Sequence, residues 1–259
     1  MIIDGHAHLG TMIKLYSLRV RTIDETIREM DRCGIAQIVI SHLNAITYDF
    51  REGNAGLKAA VDRYPDRIIP FFGIHPRHWD AASEEIKRCA GEWGWVGLKL
   101  HPEFHVYPAN CRSAIDVIGE AQAYRCVVMI HSGDRYTGVY SAPAMIADVA
   151  RQLPQTTIIM AHMGASDWQE AIEWAEVYPN LVLDTTGALN WYGLVESAVE
   201  RLGAARVIWG SDFPLFPFEM GLSKVTDSDV DARAKALILG ENIRRIMAGA
   251  GTGSGPRGE

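Results

Sequence analysis

The chain has 259 residues, 48% hydrophobic and 22% charged, an ordinary composition for a water-soluble globular fold. Its net charge of −7 argues against nucleic acid or an anionic membrane as partner, since both call for a basic face. No apolar run approaches the roughly 18 residues of a membrane span, and no basic region precedes an apolar stretch and cleavage site at the N-terminus, so a cytoplasmic location is expected.

Met1-Ile-Ile-Asp-Gly-His-Ala-His-Leu-Gly10 reads as a short buried strand, Ile2 and Ile3, running into His6 and His8. Residues two apart on a strand share a face. The two imidazoles therefore aim at one point, and imidazole nitrogen is a good ligand for zinc and related divalent ions. Thr22 to Gly34 is predicted as a helix. Thr22 caps it, Glu25 follows three later, Ile23, Ile27 and Met30 fall at helical spacing, and Gly34 ends it. Ile35 to His42 is a strand rich in β-branched residues, and Asn54 to Tyr64 a helix stopped by Pro65. Arg67 to His75 is a third strand, with Pro70 an awkward residue inside it. Trp79 to Ala90 is a helix and Trp95 to His101 a fourth strand.

The pattern repeats. Helices at Asn110 to Tyr124, Ala142 to Leu153, Asp167 to Tyr178 and Trp191 to Leu202 alternate with strands at Cys126 to His131, Thr156 to His162, Asn180 to Thr186 and Ala205 to Asp212. A last helix runs from about Asp229 to Met247, and the Gly-rich tail Ala248 to Glu259 is expected to be disordered. Near-continuous apolar strands separated by helices imply a parallel sheet covered on both faces. Eight such units predict an α/β fold, a single (β/α)8 TIM barrel over residues 1–247. A doubly wound sheet is the alternative, but it usually carries a Gly-rich phosphate loop where this chain has Gly-His-Ala-His-Leu-Gly. Cys33, Cys89, Cys111 and Cys126 are widely spaced and read as reduced thiols rather than a disulfide or zinc–thiolate framework.

In such a barrel the active site lies at the C-terminal ends of the strands. Those ends carry His6, His8, His42, His75, Lys99, His101, His131, His162, Asp184 and Asp212 in chain order. Seven of the nine histidines thus fall on one rim. His6, His8, His131 and Asp212 converge in the predicted fold, and Ala161-His162-Met163-Gly164 puts His162 at the same height; for Asp212 the alternative is a cap on the turn at Pro214. His42 is read as a plain polar residue. For His75 and His101, each preceding a proline, a pocket-lining role and a structural one stand level. His78 and His105 are read as exposed loop residues. Asp4 is read either as a hydrogen-bond partner of a ligand histidine or neighbouring strand, or as purely structural. The rim loops add Lys14, Tyr16, Arg135 and Tyr136, and Trp168 and Trp191 begin helices near the rim; each is read first as an ordinary loop or packing residue, although rim loops are where substrate choice is set.

Asp4-Gly-His-Ala-His8, Gly97-Leu-Lys-Leu-His-Pro102, Ile130-His-Ser-Gly133, Ala161-His-Met-Gly164 and Gly210-Ser-Asp-Phe-Pro214 together resemble the amidohydrolase superfamily. The resemblance is to its amidohydrolase-related branch, which holds aminocarboxymuconate-semialdehyde decarboxylase, aromatic-acid decarboxylases and pyrone-dicarboxylate lactonase. It implies that His6, His8, His131 and Asp212 bind one divalent metal, usually zinc. It implies that His162 stays unbound and polarises the substrate or handles a proton. In a two-metal alternative, a carboxylated Lys99 is the bridge and His162 a ligand. The single metal is favoured, with Lys99 as a cationic contact for a substrate carboxylate. His75, His101, Arg135 and Tyr136 complete the expected substrate-binding set.

Three neutral imidazoles and one carboxylate leave a divalent ion net positive, with a place for water, whose pKa then falls from about 15.7 to about 7. Asp212 is the expected base and His162 the expected oxyanion stabiliser. The compact first loop tilts the expected reaction toward hydrolysis of an amide, lactone or ester in a small carboxylic-acid-type substrate. The alternatives are non-oxidative decarboxylation or hydration of a small carboxylic acid at the same site and, least favoured, a non-catalytic metal-binding barrel. Homodimers are common among similar proteins, but the sequence carries no interface signature.

Overall fold

The computed structural model describes residues 1–10, 22–134, 136–187 and 192–250. Eight parallel strands lie in sequential order in one sheet. They are β1 (Ile2–Leu9), β2 (Ile35–His42), β3 (Ile68–Gly73), β4 (Gly97–Leu100), β5 (Val127–His131), β6 (Ile158–Ala161), β7 (Leu181–Asp184) and β8 (Val207–Ile208). The first helices are α1 (Ile23–Arg32), α2 (Leu43–Thr47), α3 (Phe50–Arg63), α4 (Trp79–Ile86), α5 (Pro102–His105) and α6 (Arg112–Ala123). They are followed by α7 (Pro143–Gln152), α8 (Trp168–Val177), α9 (Leu194–Leu202), α10 (Phe218–Thr226), α11 (Ala232–Ala236) and α12 (Asn242–Gly249).

The residues after β8 close the barrel. Gly5 N donates to Trp209 O at 3.0 Å and His8 N to Phe213 O at 2.7 Å, while Ser211 N and Asp212 N donate to His6 O at 3.2 and 2.8 Å. Asp4 reinforces the seam: its Oδ1 accepts from His6 N at 3.0 Å and Ser211 N at 3.1 Å, and its Oδ2 from Ser211 Oγ at 2.5 Å. The expected (β/α)8 barrel is the observed fold. The four cysteines are free thiols. No helix among the described residues is long and apolar enough to cross a membrane.

Alternation along each strand sorts its residues into two faces. Val127 and Met129 of β5, Ile159 of β6, Val182 of β7 and Phe71 of β3 form an inner apolar cluster with Ile243 and Ile246 of α12. Their neighbours Val128, Ile130, Ile158 and Leu183 belong to the outer layer under the helices. Continuing the inner face to the strand ends gives His131 after Met129 and Asp184 after Val182. β1 departs from simple alternation. Ile3 is in the inner cluster but Ala7 in the outer one. A register shift between Asp4 and Ala7 reverses the faces, and this turns His6 and His8 inward.

Several boundaries differ from the sequence reading. α3 begins at Phe50 rather than Asn54, because Asp49 Oδ1 caps it by accepting from Arg51 N and Glu52 N at 2.8 and 3.0 Å. α2, α5 and α10 are additional. The predicted last helix is broken into α11 and α12 around Gly240, where a Cβ would lie 2.4 Å from Met1 O. That glycine lets the helix lie against the start of β1. The tail was expected to start at Ala248, but α12 runs to Gly249; residues 251–259 lie outside the described residues.

Candidate metal centre

Asp212 is the hub of the rim. Its Oδ1 is buried and has no hydrogen-bond partner among the described residues. It sits 3.0 Å from His8 Nε2, an ion-pair distance without hydrogen-bond alignment, and 3.8 Å from His6 Nε2. Donor atoms of His6, His162 and Asp212 all lie within 4.8 Å of one another. The rings continue outward. The His162 centroid is 5.0 Å from His6 and 4.8 Å from His131, and His131 stacks on His101 at 3.9 Å. An orphaned buried carboxylate oxygen amid imidazoles is the donor chemistry a divalent cation requires.

Electrostatics prepares these groups. Burial pushes the imidazoles of His6, His101, His131 and His162 below the ordinary histidine range, helped by neighbouring cationic or imidazole groups. They are neutral at pH 7, the form that offers a lone pair to a metal. Burial alone would raise the Asp212 carboxyl. The contact with His8, and the nearness of the His162 and His6 rings, which turn polar edges to the group, outweigh it and hold the group well below the usual carboxylate range. Burial pushes Lys99 down to about 8.

His162 and Asp212 reach the site by unusual backbone. In β6 the inner parity belongs to Ile159 and Ala161, so a regular strand would send His162 outward. Instead His162, Met163 and Ala165 take φ of 60°, 51° and 51°, with Gly164 at 75°, and the turn swings the ring inward. Asp212 has φ 62°. Left-handed backbone at non-glycine residues costs about 1–3 kcal/mol each and persists where surrounding contacts enforce it, typically at functional sites. Ser132 supplies one such contact, accepting from Gly164 N at 2.9 Å while donating to Ala161 O.

A cavity of about 340 Å³ opens above the hub. His8, His101, His131, His162 and Asp212 line its polar end, and Leu43, Ile46, Phe104, Leu215 and Phe216 its apolar wall. Lys99 is not on this wall. Its Nζ is buried beneath, 2.8 Å from His6 Nε2, so it is no direct substrate contact in this geometry. No lysine or arginine is among the described lining residues.

Other predicted residues lie elsewhere. His75 faces a neighbouring cavity of about 450 Å³ together with His78 and His105. His105 is half-buried, stacked on His75 at 4.3 Å, and not the exposed loop residue expected. Tyr136 is 82% exposed and off the central cavity, because its backbone N–H is turned to Asp134 Oδ1. Trp168 packs against the outer core. Lys14, Tyr16, Arg135 and Trp191 lie outside the described residues. His42 is structural, its Nδ1 accepting from Asn44 N at 3.1 Å to cap α2. Asp4, read as a hydrogen-bond partner of a ligand histidine or neighbouring strand or as purely structural, accepts from the backbone of His6 and from the backbone and hydroxyl of Ser211 after β8. Two contacts escaped the sequence reading: His6 Nδ1 lies 2.7 Å from Asp184 Oδ2, and His8 Nδ1 2.9 Å from Ser41 Oγ. The position of Asp184 at the end of β7 was the available signal.

The family model described as amidohydrolase matches residues 3–247. This chain belongs to the amidohydrolase family. The chain is 21% identical to gamma-resorcylate decarboxylase of Rhizobium sp. (strain MTP-10005), over 86% of each chain. Among solved structures, 2,6-dihydroxybenzoate decarboxylase complexed with 2,6-dihydroxybenzoate matches with a TM-score of 0.78 at 16% identity, covering 95% of this chain and 98% of that one. Dihydroxybenzoic acid decarboxylase from Polaromonas sp. JS666, with bound manganese and the inhibitor 2-nitroresorcinol, matches at 0.75 and 15%, covering 95% and 96%. These likenesses correct the expected reaction. Water attack on an amide, lactone or ester carbonyl is the expectation from the compact first loop, yet curated relatives matched over most of the chain are decarboxylases. Loop length reflects how far the rim is built up and carries no information on which bond breaks. The donor set suits a divalent ion without singling out zinc.

Proposed function

We propose that this amidohydrolase is a metal-dependent carboxy-lyase that removes carbon dioxide, without oxidation, from a small hydroxylated aromatic acid. The observation that carries the reading is Asp212: a buried carboxylate with an unbonded oxygen at the floor of the cavity, beside the only cluster of metal-type donors among the described residues. The decarboxylase relatives favour C–C cleavage among the reactions such a site could serve.

His6, His8, His131 and Asp212 would hold one divalent ion, with manganese the first candidate because the Polaromonas neighbour carries it. A second reading makes His162 a ligand, and the 4.8 Å grouping of His6, His162 and Asp212 favours it. Metal content of His131→Ala beside His162→Ala separates the two. The ion would supply positive charge for the substrate's oxygens, which no lysine or arginine on the described wall provides.

The protein's own groups handle the proton. Departure of carbon dioxide leaves the bonding electron pair on the ring carbon, and that carbon must take up one proton. Asp212, held as a carboxylate, takes a proton from the substrate hydroxyl or solvent on the oxygen that does not hold the ion, and delivers it to that carbon. The apolar wall of Leu43, Ile46, Phe104, Leu215 and Phe216 holds the ring and limits water at the reacting carbon. The test is to give manganese-loaded protein 2,6-dihydroxybenzoate and related hydroxybenzoic acids, with lactones and amides as controls. Carbon dioxide and the matching phenol are expected. Turnover of the controls with no carbon dioxide from any acid would overturn the reading.

A further inference from the structure

His6 is gripped at both ring nitrogens by groups of opposite kind. Its Nδ1 lies 2.7 Å from Asp184 Oδ2, and its Nε2 2.8 Å from Lys99 Nζ. An ionised carboxylate only accepts and a lysine ammonium only donates. His6 therefore carries its proton on Nδ1 and its lone pair on Nε2, a tautomer assigned from the partners. Asp184 is itself fixed: its Oδ1 accepts from Thr186 N at 3.0 Å and from Thr186 Oγ1, which leaves Oδ2 for the imidazole. All of these groups are buried.

β7 and β1 are not neighbours; β8 lies between them. The contact across it depends on Gly210. A Cβ there would fall 2.1 Å from Thr186 Oγ1 and 2.6 Å from His6 Cβ. The Gly210-Ser211-Asp212 stretch thus does two things. Asp212 supplies a donor, and Gly210 leaves the space in which Thr186 and His6 approach each other.

We infer that Asp184, oriented by Thr186 across Gly210, is a positioning residue that fixes the tautomer of His6 and so keeps on Nε2, the ring nitrogen 3.8 Å from Asp212 Oδ1, a lone pair that now accepts from Lys99 and that a cation would need. The inference rests on the ligand assignment above. It extends it by naming the group that makes His6 a ligand instead of a second N–H donor.

The decisive variant is Asp184→Asn. Thr186 N–H can only donate, so the amide oxygen must stay on the Thr186 side and the NH2 must face His6. An N–H facing Nδ1 demands the other tautomer, with the proton on Nε2, which Lys99 Nζ can accept only as the neutral amine, so D184N must also release the Lys99 proton. Two readouts follow. In metal-free protein labelled with 15N-histidine, His6 is expected as the Nδ1–H tautomer in the wild type and the Nε2–H tautomer in D184N. In a chelator competition, the manganese Kd of D184N is expected to rise about 10–100-fold. Thr186→Ser, which keeps the hydroxyl, is expected to stay near wild type in both, and Thr186→Val to fall between. An Nε2–H tautomer in the wild type would overturn the inference. So would a D184N protein with unchanged tautomer and unchanged Kd that is merely less thermostable. If the wild type binds no manganese, the ligand assignment fails, while the tautomer spectra still decide the role of Asp184.

Discussion

The barrel carries two clusters of histidines, and only one is arranged as a metal centre. In the central cluster, His6 and His8 each have a side-chain oxygen on Nδ1, from Asp184 and Ser41, and share the unbonded Asp212 Oδ1 on the other side. In the peripheral cluster, His75 and His105 stack face to face at 4.3 Å and 16°, so their in-plane lone pairs do not converge. His75 Nδ1 takes a backbone N–H from Arg77 at 3.3 Å. The carboxylate beside this cluster, Asp49, is committed to the first amides of α3. Burial lowers the imidazole of His6 in the central cluster and those of His75 and His105 in the peripheral one, His105 to about 4. Neutral histidines are therefore common to both. An oriented lone pair and an uncommitted anion distinguish the central one.

The largest effect should come from Asp212. Asp212→Asn keeps the shape and removes the proton carrier, and carbon dioxide release is expected to fall by about 10²–10⁴-fold. Equal activity in this variant would remove the anion from the comparison. Next, His6→Ala should weaken manganese binding by more than the roughly 10–100-fold typical of an outer partner, whereas His75→Ala should shift it by less than about twofold. Ser41→Ala tests the same logic at His8, with an expected loss of about tenfold in a chelator competition.

The smallest effect concerns a carboxylate of the Asp49 kind. Asp134 accepts from Tyr136 N, from Thr137 N and Oγ1, and from Ser166 Oγ. Burial would raise it, but the Ser166 hydroxyl and the Thr137 and Tyr136 donors bring it down to about 2. Asp134→Ala is expected to cost about 1–3 kcal/mol of stability at pH 7 with metal binding unaltered. The folded-state value lies below the unfolded one. The stabilisation is therefore full above about pH 4 and disappears as pH falls through about 2. Urea melts of Asp134→Asn beside wild type at pH 7 and pH 3 should show the gap narrowing.

The strands and most helices were legible because their hydrophobic period is strong, and the five short motifs marked the strand ends. Three rim histidines, His42 read as a plain polar residue and His75 and His101 left level between the two readings, serve the backbone. A strand end is followed by a turn or helix whose first amides need acceptors, and histidine Nδ1 meets that need. His42 accepts from Asn44 N, His75 from Arg77 N, and His101 from Phe104 N at 3.3 Å. Structural histidines thus have their own reason to gather on this rim. Parity along the observed strands accounts for the inward direction of His131 and Asp184. It could not place His162 and Asp212, whose left-handed backbone no period encodes. Asp184 was visible as a strand-end carboxylate, but its pairing with His6 crosses an intervening strand and depends on a missing Cβ at Gly210.

Manganese stoichiometry in two multiple variants tests the distinction between the clusters most directly. A His75→Ala/His78→Ala/His105→Ala protein should bind one ion per chain, as should the wild type, and a His6→Ala/Asp212→Asn protein should bind none. Loss of the ion from the first protein, or its retention by the second, would contradict the assignment of the metal to the centre of the barrel.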